Sequence, residues 1–308
     1  MAAVQDVRDV LISDPVLTQI AIAYRPQGMV GTQLLKPVAV RQSAGRIVKF
    51  GKEAFRLENA ARGVGAESRR ITWTTDWVNY MCQEFSLEIA VDDRIVANSV
   101  NPIDPFERAT TTLVDMLSLA QEKRIHDAAY NALYSAGYYT TPSTKWDAAG
   151  STPITDIKNA IRIIQGRIGA RPTTVVMSRA VWDVLVEHAQ VADRLKYTTR
   201  EFTPNILAQW LEVREILVSE ALINTAVEGA TESLSYVFSD NVIIAYVPQN
   251  PAINEPAFGY CPTVRNFTVE RYRDEPAVST VIRVRHETAE VITAVDAGHM
   301  LQDVLSAI

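Results

Sequence analysis

Apolar side chains keep to one parity over a long stretch in the first third of the chain. From Ile71, the odd positions Ile71, Trp73, Trp77, Met81, Phe85, Leu87 and Ile89 are apolar, while Thr72, Thr74, Asp76, Glu84, Ser86 and Glu88 occupy the other parity. Period two is the repeat of a β-strand, so the pattern predicts roughly twenty residues of strand. At ~3.3 Å per residue an unbroken strand of that length reaches ~60 Å, against a radius of gyration of ~20 Å for a globule of this size. Part of it is then expected to leave the globule. Just upstream, Arg46–Phe50 (RIVKF) reads as a short strand. Between the two lies Gly51–Arg70 (GKEAFRLENAARGVGAESRR), a polar, glycine-punctuated finger with too few apolar side chains for a core of its own.

The pattern then changes to a helical period. Asp104-Pro105-Phe106-Glu107 combines an N-cap, a proline at the first helical position and a capping-box acid. Phe106, Ala109, Leu113, Leu117 and Ala120 follow at three- and four-residue spacing, and Ile125, Ala128, Ala129 and Leu133 continue the stripe toward Gly137. A helix over about 104–136 is predicted, long enough to act as a spine. Residues 137–153 are rich in Gly, Ser, Thr and Pro and form a boundary.

Beyond it, a helix near 154–168, a buried strand at 173–177, a helix from Ser178, and strands at 215–218, 236–238 and 242–247 predict a mixed α/β unit ending in the proline-rich stretch 248–262. Residues 263–308 return to long strand-like runs, expected to complete a sheet begun near residue 85. The first unit is therefore discontinuous. Residues 1–40, broken at Asp14-Pro15, Arg25-Pro26, Gly28, Gly31 and Lys36-Pro37, read as an arm or a strap over the core.

Chemistry-bearing motifs are scarce. The 308 residues carry a net charge of −6 without a long single-sign run, so no bulk attraction to nucleic acid or anionic lipid is implied. Cys82 and Cys261 lack metal-ligand spacing, and no disulfide framework is suggested, which fits a reduced, intracellular setting. The N-terminus lacks the basic region of a secretory signal, and no apolar run approaches the ~20 residues of a membrane span. His126, His188, His286 and His299 fall at unrelated positions, Gly63-Val64-Gly65 lacks a third glycine, and no nucleophile elbow or phosphate loop occurs. No catalytic, cofactor or metal residue is assigned.

The finger is where an interaction is expected. Lys49, Lys52, Arg56, Arg62, Arg69 and Arg70 alternate with Glu53, Glu58 and Glu67, which suits a protein partner of mixed charge better than a phosphate backbone. Phe55, Leu57, Trp73 and Trp77 would add apolar contact area on the same ribbon. A solvated loop, a DNA-gripping β-arm and an enzyme assembled only in three dimensions are the other readings.

The order of these elements, with PVLTQIAIAYRPQGMVGTQLLKPVAV at one end and EVITAVDAGHMLQDV at the other, resembles the major capsid proteins of tailed bacteriophages, whose Johnson fold is shared with encapsulins. The resemblance covers essentially the whole chain. It implies an α+β capsid fold: an N-terminal arm (1–40), an extended β-loop (41–82), a peripheral domain (83–150 and 263–308) with its spine helix, and an α/β axial domain (151–262).

It further implies a structural shell protein, not an enzyme. Its partners would be copies of itself in pentamers and hexamers, a separate scaffolding protein, a portal, and double-stranded DNA held without sequence reading. No membrane is involved, and the shell would assemble in the host cytoplasm as part of a virion. An encapsulin enclosing protein cargo is the alternative. In such proteins the extended loop lies across a neighbour, which would supply the finger's missing packing partner. Some relatives cross-link a loop lysine to a neighbour's asparagine, and Lys49 and Lys52 are candidates by position.

Overall fold

The computed structural model describes residues 14–23, 28–49, 61, 67–68, 76–98, 104–195, 202–226, 231–250 and 257–306. In chain order the first elements are α1 (Pro15–Ala23), α2 (Gly31–Leu34), β1 (Lys36–Ala39), β2 (Ala44–Lys49), β3 (Asp76–Met81), β4 (Gln83–Asp92), α3 (Asp93–Asn98) and α4 (Pro105–Ser135). Next come β5 (Tyr139–Thr140), α5 (Pro153–Ile168), β6 (Thr174–Ser178), α6 (Arg179–Glu187), α7 (Ala189–Leu195), α8 (Pro204–Leu211), β7 (Glu215–Ser219), β8 (Leu222–Asn224), β9 (Leu234–Tyr236) and β10 (Val242–Ala245). The chain closes with β11 (Gly259–Asp274), β12 (Ser279–Thr288), β13 (Val291–Ile292) and β14 (Gly298–Leu301).

The long helix forms as its sequence predicts. The Asp104 carboxylate accepts the Phe106 N–H at 2.9 Å, and Pro105 sits where a missing N–H costs nothing. Along the first half of α4, Ala109, Leu113, Val114 and Leu117 pack against Val269, Ile282 and Val284. Along the second half, Ile125, Ala129 and Leu133 join Val176, Phe258 and Met300 in a different core. One helix of 31 residues, ~46 Å long, thus belongs to two cores and ties them together.

The first core underlies a sheet ordered β1-β11-β12-β4, with β13 also on β11. β11, β12 and β4 are antiparallel, and β1 is parallel to β11. The second sheet is ordered β5-β14-β10-β6-β7. It packs with α5, α6 and α8 through Ile157, Ile161, Leu185, Leu207 and Leu211. Ser178 caps α6, its hydroxyl accepting the Val181 N–H at 3.4 Å. Two further pairs, β2-β3 and β8-β9, stand as separate two-stranded ribbons.

Two features depart from the sequence pattern, and a third bears on its two readings of the N-terminal segment. First, the long alternating strand breaks at Cys82: β3 pairs only with β2, whereas β4 pairs with β12. The break is enforced locally, because the Cys82 N–H donates to Ser43 O at 2.6 Å and its thiol points to Pro262 O at 3.4 Å. Second, residues 263–308 do not all return to the first sheet. β14 lies between β5 and β10, and Val304 and Leu305 enter the second core, so the final strand belongs with the α/β unit. Third, residues 14–40 cover their own chain: Leu17 and Ala21 of α1 fill the first core, Leu34 and Leu35 the second.

A buried acid fixes that strap. The oxygens of Glu122, on α4, accept the N–H groups of Val30 at 3.0 Å and Gly31 at 2.6 Å, and the Ser219 hydroxyl lies 3.3 Å away. Burial pushes this carboxyl above the usual range despite its donors. A side chain at Gly31 would place its Cβ 2.6 Å from Glu122 Oε2, so only glycine lets the strap approach so closely.

Candidate inter-subunit surface

The β2-β3 ribbon has two unlike faces. Residues opposite one another in an antiparallel pair share a face, so Gly45, Ile47, Lys49, Asp76, Val78 and Tyr80 lie on one side and Ala44, Arg46, Val48, Trp77, Asn79 and Met81 on the other. The first side is anchored at its base: Ile47 is fully buried with Cys82, Ala289 and Val291, and Val78 and Tyr80 pack against them. Gly45 lies under the Tyr80 ring, where a Cβ would sit 2.6 Å from the phenol oxygen, and that phenol donates to Gln42 O at 3.4 Å.

The second side is left largely open by the described residues. Trp77 is 54% exposed and Met81 67% exposed, with half-buried Val48 opposite Trp77 and the Arg46–Asn79 pair between the two. Large apolar side chains in that position commonly mark an interface. Among the described residues of the expected contact set, Lys49, Glu67 and Trp77 are all exposed. Lys52, Glu53, Phe55, Arg56, Leu57, Glu58, Arg62, Arg69, Arg70 and Trp73 lie outside the described residues. Met81 is not in the expected contact set; it shares its parity with Trp77 and also with the partly buried Phe85 and Ile89, so parity alone does not separate the exposed from the packed positions. Its adjacency to the register break is the signal that separates it from them.

The sheet beside the ribbon carries a charged face. Glu88 accepts hydrogen bonds from Arg283 Nε at 3.0 Å and from the Tyr272 hydroxyl at 3.0 Å, which hold its carboxyl below the usual range. Arg273 grips Asp93 with two bonds of 2.6 and 2.8 Å and lowers that carboxyl likewise. Arg285 contacts the buried Glu270 and lies 3.6 Å from Glu84. These pairs link β4, β11 and β12 across the face of the first sheet.

The histidines are scattered and neutral. Burial and the neighbouring Arg124 bring His286 down to about 4, and burial with Arg167 does the same for His299. Burial also lowers His126 and His188. Among the described residues no three His, Cys, Asp or Glu side chains gather as a metal site, and no helix is long and apolar enough to cross a membrane. The surface so assembled can bind by area and charge.

Comparison with known proteins points the same way. The family model described as phage major capsid protein E matches residues 118–247. The major capsid protein of Burkholderia phage BcepMu is 29% identical over 303 residues, spanning 95% of this chain and 97% of that protein. A phage-related protein from Bordetella bronchiseptica RB50 has a solved structure that superposes with a TM-score of 0.77 at 29% identity, covering 96% of this chain and 98% of the other. The capsid structure of Cyanophage P-SCSP1u gives a TM-score of 0.60 at 10% identity, covering 91% and 89%, a likeness of fold.

Proposed function

We propose that this chain is a phage major capsid protein whose icosahedral shell assembles through its β2-β3 ribbon and the finger that the ribbon carries. The observation that carries this reading is the ribbon itself: one face is anchored by Ile47, while the other offers Trp77 and Met81 to something outside the chain. In a shell that something is the next copy. Each copy donates a ribbon and receives one, a heterologous contact that repeats until curvature closes the particle.

The finer roles follow from the same reading. Residues 1–40 serve as the arm, 41–82 as the extended loop, α4 and the first sheet as the periphery, and the α/β unit as the part that meets its equivalents in pentamers and hexamers. The position of β14 supports including the last strand in that α/β unit. The enclosed material is double-stranded DNA, held by charge without base reading, with a scaffolding protein and a portal as helpers and the host cytoplasm as the place of assembly. The protein acts without catalysis.

Negative-stain electron microscopy of the purified protein, with and without co-expressed scaffold, tests this directly. Closed shells or rings of five and six are expected, with nuclease-sensitive nucleic acid inside filled particles. Shells that hold only protein cargo would favour an encapsulin role. Uniform monomers or dimers under every condition would overturn the assembly reading.

A further inference from the structure

The second half of α4 carries an exposed surface of another kind. His126, Tyr130 and Tyr134 follow one another at four-residue spacing and so share one face of the helix, and Tyr139 of β5 continues the row. The His126 and Tyr130 rings stack with centroids 5.9 Å apart, Tyr130 and Tyr134 at 5.8 Å with 7° between their planes, and Tyr134 and Tyr139 at 5.1 Å with 16°. The inner end is fixed: His126 is buried edge-on against Phe238, and Gln302 Nε2 donates to the Tyr130 hydroxyl at 3.2 Å. The outer end is open, with Tyr134 50% and Tyr139 37% exposed.

Two acids border the row. Burial, the Tyr134 phenol and the Asp303 and Asp240 carboxylates together push the Tyr130 hydroxyl up, so both acids act on the rings. Neither carboxylate meets a described cation: Asp240 accepts from the neighbouring Ser239 hydroxyl at 3.3 Å, and Lys145 reaches the backbone carbonyl of Asp303. Tyr138, one residue before Tyr139, shows what completes such a site. Its ring lies under the Arg167 guanidinium, 3.7 Å from the centroid, and its hydroxyl donates to Asp296 at 2.5 Å. The chain covers Phe85 with Arg124 and Phe106 with Arg271 in the same way, at 3.6 and 4.2 Å. Tyr134 and Tyr139 have the rings and the acids, yet no described guanidinium lies over them.

We propose that the Tyr130–Tyr134–Tyr139 row, with Asp240 and Asp303, is a docking surface for an extended, arginine-bearing segment of a protein other than this chain. Parallel rings at this spacing are offset and leave part of each face open. Side chains on one face of an extended segment recur every ~6.6 Å, close to the step of the row, so successive guanidiniums can lie on successive rings while pairing with the acids. Charge selects this occupant. The two carboxylates repel a phosphate backbone, which argues against a platform for stacked bases. Another copy is also a poor source, because Arg124, Arg179, Arg214, Arg273 and Arg283 already contact acids of their own chain and the chain carries a net charge of −6. The row is fixed from within by His126 and Gln302, so little ordering is needed when a segment binds. The surface shares no residue with the β2-β3 ribbon and stands or falls separately from it.

Fluorescence anisotropy with the purified protein tests the proposal. The probes are a labelled peptide alternating arginine and serine, its lysine and glutamate counterparts, and an oligothymidylate of similar length. Saturable binding of the arginine peptide is expected, several-fold tighter than the lysine peptide because a planar guanidinium stacks on a ring, with no binding of the glutamate peptide or the oligonucleotide. Tyr134→Ala with Tyr139→Ala, and separately Asp240→Asn with Asp303→Asn, should each weaken it at least about tenfold. Tyr134→Phe with Tyr139→Phe keeps the rings and should stay within about twofold of the parent. Asparagine suits the left-handed backbone of Asp303, at φ 52°, and urea midpoints show that each variant is folded. Arginine-peptide binding that is unchanged in the alanine and asparagine pairs, equal binding of the oligonucleotide, or no saturation below ~1 mM would overturn the proposal. Loss of shells from the alanine pair would do so too, since the occupant would then be another copy; shells that persist while peptide binding is lost bear it out.

Discussion

Replacing Trp77 and Met81 together by serine separates assembly from folding, because both side chains stand mostly in water on the isolated subunit. A tryptophan side chain offers roughly 200 Å², so 54% exposure leaves on the order of 100 Å² for a partner to cover, worth ~2.5 kcal/mol at ~25 cal/mol per Å². Met81, 67% exposed, adds ~1–2 kcal/mol on the same scale. With one donated ribbon per subunit, losing ~4 kcal/mol should raise the protein concentration needed for shells about a thousandfold. The folded subunit should lose under ~1 kcal/mol per site, the range of surface strand substitutions.

Light scattering and sedimentation velocity across a concentration series measure the first quantity, and urea unfolding the second. Ile47→Ala provides the contrast on the opposite face. Its side chain is fully buried, so it should cost ~2–4 kcal/mol of subunit stability. Shells that form from the double serine variant at the parent concentration, with stability unchanged, would refute the reasoning. The apolar face would then be incidental.

Deleting residues 52–68 should leave the circular dichroism of a folded subunit but abolish shells, and intact particles from that deletion would remove the finger from the interface. Leu113→Asp with Leu117→Asp should prevent folding, since both sites are buried in the first core and an unpaired buried charge costs several kcal/mol against a total of ~5–15; a normal thermal midpoint would contradict the packing of α4. Glu122→Ala should cost ~2–4 kcal/mol in urea unfolding by orphaning the Val30 and Gly31 N–H groups, with Glu122→Gln milder because one acceptor remains. His286 and His299 titrate near 4 when folded against 6.5 unfolded, so their contribution is full above pH 6.5 and is lost as pH falls toward 4, by up to ~3 kcal/mol each. A flat stability between pH 6.5 and 4.5 would show that they are not buried as described.

Much of this architecture is legible because local and tertiary demands agree. The α4 stripe carries its cap, its proline and its apolar spacing in one place, and the helix falls where they put it. The ribbon was legible only in part. Period two continues through Cys82, and a repeat of two says nothing about which strand lies alongside; the switch from β2 to β12 as partner depends on Ser43 and Pro262, distant in sequence or unremarkable in type. β14 was misassigned for a related reason. Its four residues are all buried, so no alternation marks a face, and nothing local tells one sheet from the other. Glu122 could have been found: it shares three- and seven-residue spacing with Ile125 and Ala129, and an acid on a buried stripe needs donors.

The division between packed body and exposed ribbon fits what closure demands. α4 joins two cores, and the Arg283–Glu88 and Arg273–Asp93 pairs tie β12 to β4 and β11 to α3. In the assembly proposed above, the contacts between bodies are the weaker part. The ~4 kcal/mol from Trp77 and Met81 corresponds by itself to a dissociation constant near ~1 mM. Such a contact dissociates readily and lets a misplaced subunit leave. Once a copy both donates a ribbon and receives one, contacts multiply and departure requires breaking several together. A much more apolar finger would strengthen each contact at the cost of that reversibility, which gives a physical reason for a finger with eight charged residues in twenty and a ribbon whose described residues expose two large apolar side chains, Trp77 and Met81. Strengthening the contact, for example with Asn79→Leu on the outer face, should therefore speed association yet raise the share of malformed particles under the microscope. More numerous and uniformly closed shells from that variant would argue that ribbon affinity, and not error correction, limits assembly.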